Sequence, residues 1–196
     1  MQFTTSDKSE ACDFIKDSCK ECNRKYECTG ENVAFCNHMK NILVAKYGAA
    51  EGCLKESRIR HSMGVANFLF AYAKSHDWSK EKTEDLYLTG LLHDIGYIDN
   101  PKGTDHGRLG AEILKRNGLN AEICELISCH GRFIENPSRK QALLWLADLC
   151  VNRDGDYIGY QKRYESIKER YKNDPERLFQ VYRILEYLQI HFSEYR

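Results

Sequence analysis

The chain has 196 residues, a mass of 22.8 kDa and a formal net charge of zero, since 29 basic residues balance 29 acidic ones. Its length fits one domain with short extensions, and the balanced charge argues against the broad basic surface that binds nucleic acid or anionic membranes. The sequence has no long apolar run and no signal-like start, so we expect a cytoplasmic protein with neither nucleic acid nor a membrane as partner.

Residues 1–50 form a cysteine-rich extension that we predict to be helical. Four of the nine cysteines fall close together there: Cys19, Cys22, Cys28 and Cys36. A Cys-x-x-Cys pair supplies half of many zinc sites, but no second close pair follows this one. The sequence leaves a structural zinc or iron–sulfur site open beside the alternative of ordinary reduced thiols.

The rest of the chain is a succession of apolar residues at helical spacing, and no long alternation of apolar and polar residues predicts a strand. We therefore predict an all-α fold. The main domain is expected to span residues 51–155. Helices over residues 156–196, the last of them opened by Asp174 and Pro175, are expected to pack on this domain rather than to carry chemistry. Their recurring tyrosines suit core packing or the interface of a homodimer.

The first two predicted helices of the main domain carry three polar residues of interest. A helix over residues 60–74 has His61 on its apolar side, because His61 shares the spacing of the apolar residues. A second helix over residues 79–96 begins with a serine N-cap and is expected to end in a left-handed glycine cap. Its last turn contains His93 and Asp94.

Three further helices place polar residues at their ends or on their inner sides. After a loop over residues 97–104, a helix carries His106 in its first turn. The next helix is capped by Asn120 and ends near His130, and the helix after it has Asp148 near its inner side. Residues far apart in the sequence can therefore meet at one place in a helical fold.

Six of these polar side chains have the composition of a metal site: His61, His93, Asp94, His106, His130 and Asp148. Neutral imidazole and carboxylate suit divalent iron, manganese, zinc, nickel or cobalt. Consecutive helical residues lie about 100° apart around the axis, so His93 and Asp94 can both reach one ion beyond the helix end. The sequence does not identify the ion.

The order of these residues resembles the HD-domain superfamily of metal-dependent phosphohydrolases. The run GLLHDIG spans residues 90–96, with RH at 60–61 and LAD at 146–148. The resemblance covers roughly residues 55–155. It implies an all-helical metal site that hydrolyses a phosphate ester or anhydride.

The resemblance also implies a ligand set. It assigns four ligands to the first ion: His61, His93, Asp94 and Asp148. Members with two additional histidines hold a second ion, and His106 and His130 match those positions, with Asp94 bridging the two ions. Asp94, His106 and His130 are then the residues expected to act in catalysis, because two ions can hold the nucleophile and clamp the phosphoryl group.

The ligand order is closer still to the bacterial HD-domain proteins that split symmetrical dinucleoside tetraphosphates. The chain departs from them at two places, with HGRF at residues 130–133 in place of His-Thr-Thr-Gly and Tyr97 in place of a basic residue. The resemblance implies a small phosphorylated substrate, a nucleotide, with a dinucleoside polyphosphate favoured over a nucleoside monophosphate or cyclic nucleotide. The alternative is a regulatory module that binds metal and nucleotide without turnover.

Arg60 and Arg132 are the predicted substrate-binding residues. Each lies next to or near an expected ligand, and the planar guanidinium group matches the oxygens of a phosphate. The acid that protonates the leaving oxygen stays open among Asp99, Asp105 and a water molecule on the metal.

Overall fold

The computed structural model describes residues 56–98, 103 and 105–196 of the protein. The described residues contain seven α-helices: α1 Glu56–Ser75, α2 Lys80–Leu92, α3 His106–Arg116, α4 Ala121–Cys129, α5 Arg139–Cys150, α6 Tyr160–Arg170 and α7 Pro175–His191. Two short 3₁₀ helices cover Ile95–Ile98 and Ser193–Tyr195. The described part of the chain has no strand beyond one isolated bridge, which confirms the all-α prediction. Asp99 and the cluster of N-terminal cysteines lie outside the described residues.

Four helices begin where polar residues predict an N-cap. The side chains of Ser79 and Asn120 accept hydrogen bonds from backbone N–H groups in the first turns of α2 and α4. Ser138 and Asp174 do the same for α5 and α7. These oxygens satisfy N–H groups that have no partner within the helix, and each such cap stabilises a helix by about 1 kcal/mol.

The predicted end of the second helix is wrong. The α-helix stops at Leu92, His93 retains helical backbone angles, and the chain tightens into the 3₁₀ helix before Gly96. Gly96 does not adopt a left-handed conformation. A Cβ atom there would lie 1.9 Å from the carbonyl oxygen of His106 and 2.6 Å from the backbone nitrogen of Gly110. The glycine is needed because the 3₁₀ helix and α3 approach each other backbone to backbone.

The helix α5 lies at the centre of the core, since nine of its twelve residues are buried. Helices α1 and α2 form a close pair beside it, in which a Cβ atom at Gly90 would come within 2.8 Å of the Cα atom of Ala66. Helices α6 and α7 pack against α5 through apolar residues that include Ile167 and Leu188. Residues 56–196 form one compact unit, and the predicted boundary between residues 155 and 156 stays a prediction.

The surface of the unit carries a small apolar stripe on α7. Phe179, Tyr182 and Ile190 are exposed there. A homodimer stays a prediction, since no partner chain is part of the structure. Among the described helices, none combines the length and the apolar character needed to span a bilayer.

Candidate metal centre

The six residues singled out in the sequence meet between five helices. His61 comes from the second turn of α1, His93 and Asp94 follow α2, and His106 is the first residue of α3. His130 follows α4, and Asp148 lies in the last turn of α5. His61, His93, Asp94 and His130 are almost completely buried, whereas the side chains of His106 and Asp148 are partly exposed to a cavity.

The carboxylate of Asp94 is at the middle of this group. Its Oδ1 atom lies 3.4 Å from Nε2 of His106, 3.6 Å from Nε2 of His93 and 3.7 Å from Nε2 of His130. Oδ1 of Asp148 lies 2.9 Å from Nε2 of His61 and 3.9 Å from Nε2 of His93. The six residues form three overlapping sets in which all candidate ligand atoms lie within 4.8 Å of one another.

The backbone fixes the orientation of all four imidazole rings. The Nδ1 atoms of His61 and His93 face the carbonyl oxygens of Asn152 and Gly90 at 3.1 and 2.7 Å. In the same way, Nδ1 of His106 lies 3.0 Å from the carbonyl of residue 103, and Nδ1 of His130 lies 2.6 Å from that of residue 127. A carbonyl oxygen only accepts, so each Nδ1 atom donates and each Nε2 atom is left to face the centre.

Two features show that this donor set fits a cation. Nε2 of His93 is buried and has no hydrogen-bond partner among the described residues. Nε2 of His106 lies 2.8 Å from Nε2 of His130, and both rings already donate from Nδ1. Two lone pairs this close repel each other unless a positive charge lies between them, and a divalent ion supplies that charge.

The electrostatic state of the ligands also suits a metal. Burial lowers the pKa of His93 to about 4, and burial together with the neighbouring His130 lowers the pKa of His106 to about 3. Burial opposes ionisation of Asp94 and Asp148, but the adjacent histidines hold the pKa of each carboxyl below its ordinary value. At neutral pH His93 and His106 are therefore neutral and the two carboxylates are ionised, which is the state in which such groups bind a metal.

The pKa of His130 is shifted in the opposite direction from the pKa values of His93 and His106. Burial opposes a charge on His130, but the negative charges of Asp94 and Asp148 raise its pKa. A proton on Nε2 of His130 can be shared with Nε2 of His106. Without a metal ion, such a proton would supply the positive charge between the two rings.

Arg58 is a residue of this centre that the sequence reasoning missed. Its Nη1 atom donates to Oδ2 of Asp94 at 2.8 Å, and its guanidinium lies 4.0 Å from the centroid of the Tyr97 ring. The other carboxylate oxygen of Asp94, Oδ1, therefore remains available to a metal ion on the side of the histidines. Arg58 lies three residues before His61, which places the two side chains on nearly the same face of α1. This spacing is the sequence signal that could have identified Arg58.

An open cavity of about 460 Å³ is lined by four of the six residues, Asp94, His106, His130 and Asp148, and by one of the two predicted substrate arginines. Arg132 lines the cavity. Arg60 does not, because it lies two residues after Arg58 and points to another side of α1, where its Nη2 atom is 3.4 Å from Oδ1 of Asp154. Substrate binding by Arg60 stays a prediction that this geometry does not favour. Asp105 also lines the cavity, where its carboxylate accepts from Nε of Arg108 at 2.5 Å.

The C-terminal helices contribute more than packing. Arg163, Arg170, Tyr171 and Arg177 from α6, α7 and their connection line the cavity. Arg163 and Arg170 are seven residues apart, with the inward-facing Ile167 between them, so both arginines share the inner face of α6. Basic residues on the apolar face of a helix are a sequence signal of such a role. The prediction that these helices only pack on the main domain overlooked it.

Comparisons with known proteins agree with this geometry. A family profile described as HD domain matches residues 58–182. Ribonuclease Y of Fervidobacterium nodosum is 31% identical over 123 residues, which cover 58% of this chain and 23% of the relative. Ribonuclease Y of Mycoplasma mycoides is 34% identical over 113 residues, covering 57% and 20%. An uncharacterized protein of Methanocaldococcus jannaschii is 31% identical over 77 residues, covering 38% and 45%.

These relatives are matched over only part of their own length, which limits what can be inferred from them. The chain spans about a fifth of the length of the ribonuclease Y relatives that it matches. These relatives do not support the closer resemblance to proteins that split dinucleoside tetraphosphates. No solved structure matches the chain at a significant level.

Proposed function

The chain belongs to the HD-domain family of metal-dependent phosphohydrolases, and from this premise we propose that it hydrolyses a phosphate ester or anhydride of a nucleotide, with dinucleoside polyphosphates favoured. The convergence of four imidazole Nε2 atoms and two carboxylates beside an open cavity is the observation that supports this proposal most directly. A reaction at phosphorus needs positive charge and a nucleophile at neutral pH, and such a centre suits both needs.

We assign the residues to two groups that share Asp94, following the ligand set that the family resemblance implies. His61, His93, Asp94 and Asp148 would hold one ion, and Asp94, His106 and His130, which lie close together, would hold a second. A divalent ion supplies charge for the phosphoryl oxygens and acidifies the attacking water. The chain itself keeps the ligands in place, because four backbone carbonyls orient the imidazoles and Arg58 fixes one oxygen of Asp94.

Two further residues of the cavity bear on substrate binding and on proton transfer. Arg132 is exposed at the cavity edge, where its guanidinium can reach oxygens of a bound phosphate. Asp105 is within the cavity but is already paired with Arg108, so proton transfer from it requires this pair to open. We therefore assign the leaving-group proton to no side chain.

A hydrolysis screen tests the proposal. The metal-free protein is reloaded separately with manganese, iron, zinc, nickel and cobalt, and each form is incubated with diadenosine tetraphosphate, a nucleoside monophosphate, a cyclic nucleotide and a short RNA. The RNA is included because two of the relatives are named ribonuclease Y. We expect turnover with at least one metal and a loss of about a thousandfold or more in Asp94→Asn, since that change removes a shared ligand.

The control variant for the screen is Arg116→Gln, an exposed arginine near the end of α3 that does not line the cavity. Its activity should equal that of the wild type. Nucleotide binding without turnover under every metal contradicts the proposal and supports the regulatory module instead. Turnover of RNA alone contradicts the nucleotide substrate while leaving the reaction class intact.

A further inference from the structure

One wall of the cavity carries arginines that the metal centre does not use. Arg163 is 4% exposed, and its Nε atom has no hydrogen-bond partner among the described residues. Burying a cation without a partner is costly, and natural proteins normally compensate such a group with a carboxylate or a ligand. An unpartnered guanidinium atom at a cavity wall therefore points to an anion that binds there.

Two more arginines surround Tyr171 on the same wall. The guanidinium of Arg177 lies 4.2 Å from the centroid of the Tyr171 ring, and that of Arg170 lies 5.7 Å from it. Burial opposes ionisation of Tyr171, but the charges of Arg177 and Arg170 lower the pKa of its hydroxyl. The positive potential is thus strong enough to act on a neighbouring side chain.

The wall formed by Arg163, Arg170 and Arg177 is connected to the metal centre by a shared backbone oxygen. Nη2 of Arg177 donates to the carbonyl of Gly103 at 2.8 Å, and the same carbonyl accepts from Nδ1 of His106 at 3.0 Å. A ligand on the wall would therefore lie beside the second group of metal ligands. Such an arrangement suits a substrate that extends from the reacting phosphorus toward α6 and α7.

In the described part of the chain, no carboxylate forms an ion pair with this wall, although Asp174 and Glu176 also line the cavity. No carboxylate of the described residues lies within 4.0 Å of the guanidinium nitrogens of Arg163, Arg170 or Arg177. Asp94 and Asp148 belong to the metal centre, and the carboxylate of Asp174 accepts a backbone N–H of α7. Several guanidinium groups around one space match a phosphate, whose oxygens can accept from more than one arginine, better than they match a single carboxylate.

We propose that Arg163, Arg170 and Arg177 bind a second phosphate group of the substrate, one that is not attacked. The inference rests on the proposed phosphohydrolase function and narrows its substrate class to compounds with at least two phosphates. Nucleoside diphosphates, triphosphates and dinucleoside polyphosphates belong to this class, whereas nucleoside monophosphates do not.

Binding of inorganic pyrophosphate to the metal-free protein tests the inference without any turnover. The chelator is removed by dialysis, and pyrophosphate is titrated by calorimetry into wild type, Arg163→Gln, Arg170→Gln and the control Arg116→Gln. We expect each cavity variant to bind pyrophosphate about tenfold more weakly or worse, because each loses a charge-assisted hydrogen bond. The control should bind within twofold of wild type, since it removes the same charge outside the cavity.

A second measurement separates ligand binding from a structural role. Arg163 is also close enough to Asp148 for their charges to interact, so Arg163→Gln could act by changing the metal site. A purely structural role would change the manganese affinity and leave pyrophosphate binding of the metal-free protein unchanged, which overturns the inference. Circular dichroism shows whether each variant folds. If Arg163→Gln does not fold, the inference is tested with Arg170→Gln, because Arg170 is only half-buried.

The inference and the proposed function can fail separately. Unchanged pyrophosphate binding in folded Arg170→Gln, together with nucleotide hydrolysis by the wild type, overturns the arginine subsite alone. Weakened pyrophosphate binding together with no hydrolysis of any substrate supports the subsite and contradicts the phosphohydrolase proposal.

Discussion

The pair formed by Arg58 and Asp94 determines which oxygen of the central carboxylate is available to a metal. The side chain of Asp94 is 3% exposed, and that of Arg58 is 19% exposed, so little water screens their 2.8 Å contact. Burial opposes the charge of both groups, yet their proximity raises the pKa of Arg58 and contributes to the lowered pKa of Asp94. The pair therefore stabilises the fold while it orients the ligand.

Replacement of this arginine should destabilise the metal-free protein at neutral pH. We expect Arg58→Gln to lower the free energy of unfolding by about 1.5–3 kcal/mol, because a buried carboxylate loses a charge-assisted hydrogen bond. The folded-state pKa of Asp94 is depressed, so its contribution is present above the ordinary aspartate value of about 3.9 and is lost as the pH falls through the folded-state pKa. Urea titrations at neutral and acidic pH measure the difference.

The control for that prediction is Arg60→Gln. Its guanidinium faces Asp154 in a pair whose side chains are 41% and 67% exposed, so we expect a change of no more than about 0.5 kcal/mol. Equal destabilisation by both variants, or an effect of Arg58→Gln that grows in acid, would contradict the assignment.

The histidines and aspartates of the candidate metal centre could be expected from the sequence, whereas the arginines around them could not. His93 and Asp94 are adjacent and directly follow the apolar residues Leu91 and Leu92 at the end of α2, so residue type and position together indicate a metal site. Arginines such as Arg58 and Arg163 occur on most helices, and only the packing of α1 and α6 decides whether they reach a cavity. The sequence patterns therefore indicated the chemistry of the site better than its substrate.

At the scale of the elements, the starts of the helices with polar N-caps were predictable, whereas the end of α2 and the start of α1 at Glu56 were not. A serine such as Ser79 signals an N-cap through a local hydrogen bond, which depends on the next three residues only. A glycine such as Gly96 is typical of a local helix stop, but this one is required by the backbone of α3, ten or more residues later. Contacts between elements of this kind leave no local signal in the sequence.

This contact makes Gly96→Ala a test of how elements position the ligands. The new Cβ atom would overlap the carbonyl of His106. Because backbone atoms cannot move aside as a flexible side chain can, the 3₁₀ helix and α3 must separate. We expect a loss of about 3 kcal/mol in stability and at least tenfold weaker manganese binding, because Asp94 moves away from His106. Chemical denaturation and calorimetric titration measure the two effects.

Gly131→Ala is the matched control. Its Cβ atom would meet Cε1 of His106 at 3.9 Å, which is an ordinary contact, although the residue also lies beside the metal centre. We expect stability within about 0.5 kcal/mol of wild type and unchanged manganese affinity. If Gly96→Ala binds manganese as tightly as this control, the close approach of the two elements does not position the ligands.

At the scale of the whole molecule, the centre connects five helices that are distant in sequence, so metal binding and folding should be linked. The unfolded chain cannot hold the ligands together, and an ion that binds only the folded state stabilises it by about 2.7 kcal/mol at a hundredfold excess over the Kd. For a protein of this size we expect manganese to raise the unfolding midpoint by about 5–11 °C. Differential scanning calorimetry at several manganese concentrations measures the increase.

The N-terminal cysteines offer a second place where the chain could bind a metal, so the experiment needs two variants. Asp94→Asn should abolish the manganese-dependent increase, because it removes the carboxylate shared by both ligand groups. Cys19→Ser/Cys22→Ser should retain the full increase, because hard manganese ions prefer oxygen and nitrogen ligands to thiolates. Metal analysis of the same variants after zinc loading decides whether the cysteines hold an additional ion. A manganese increase that survives in Asp94→Asn and disappears in the cysteine variant would locate the stabilising metal in residues 1–50 and contradict the linkage to the five helices.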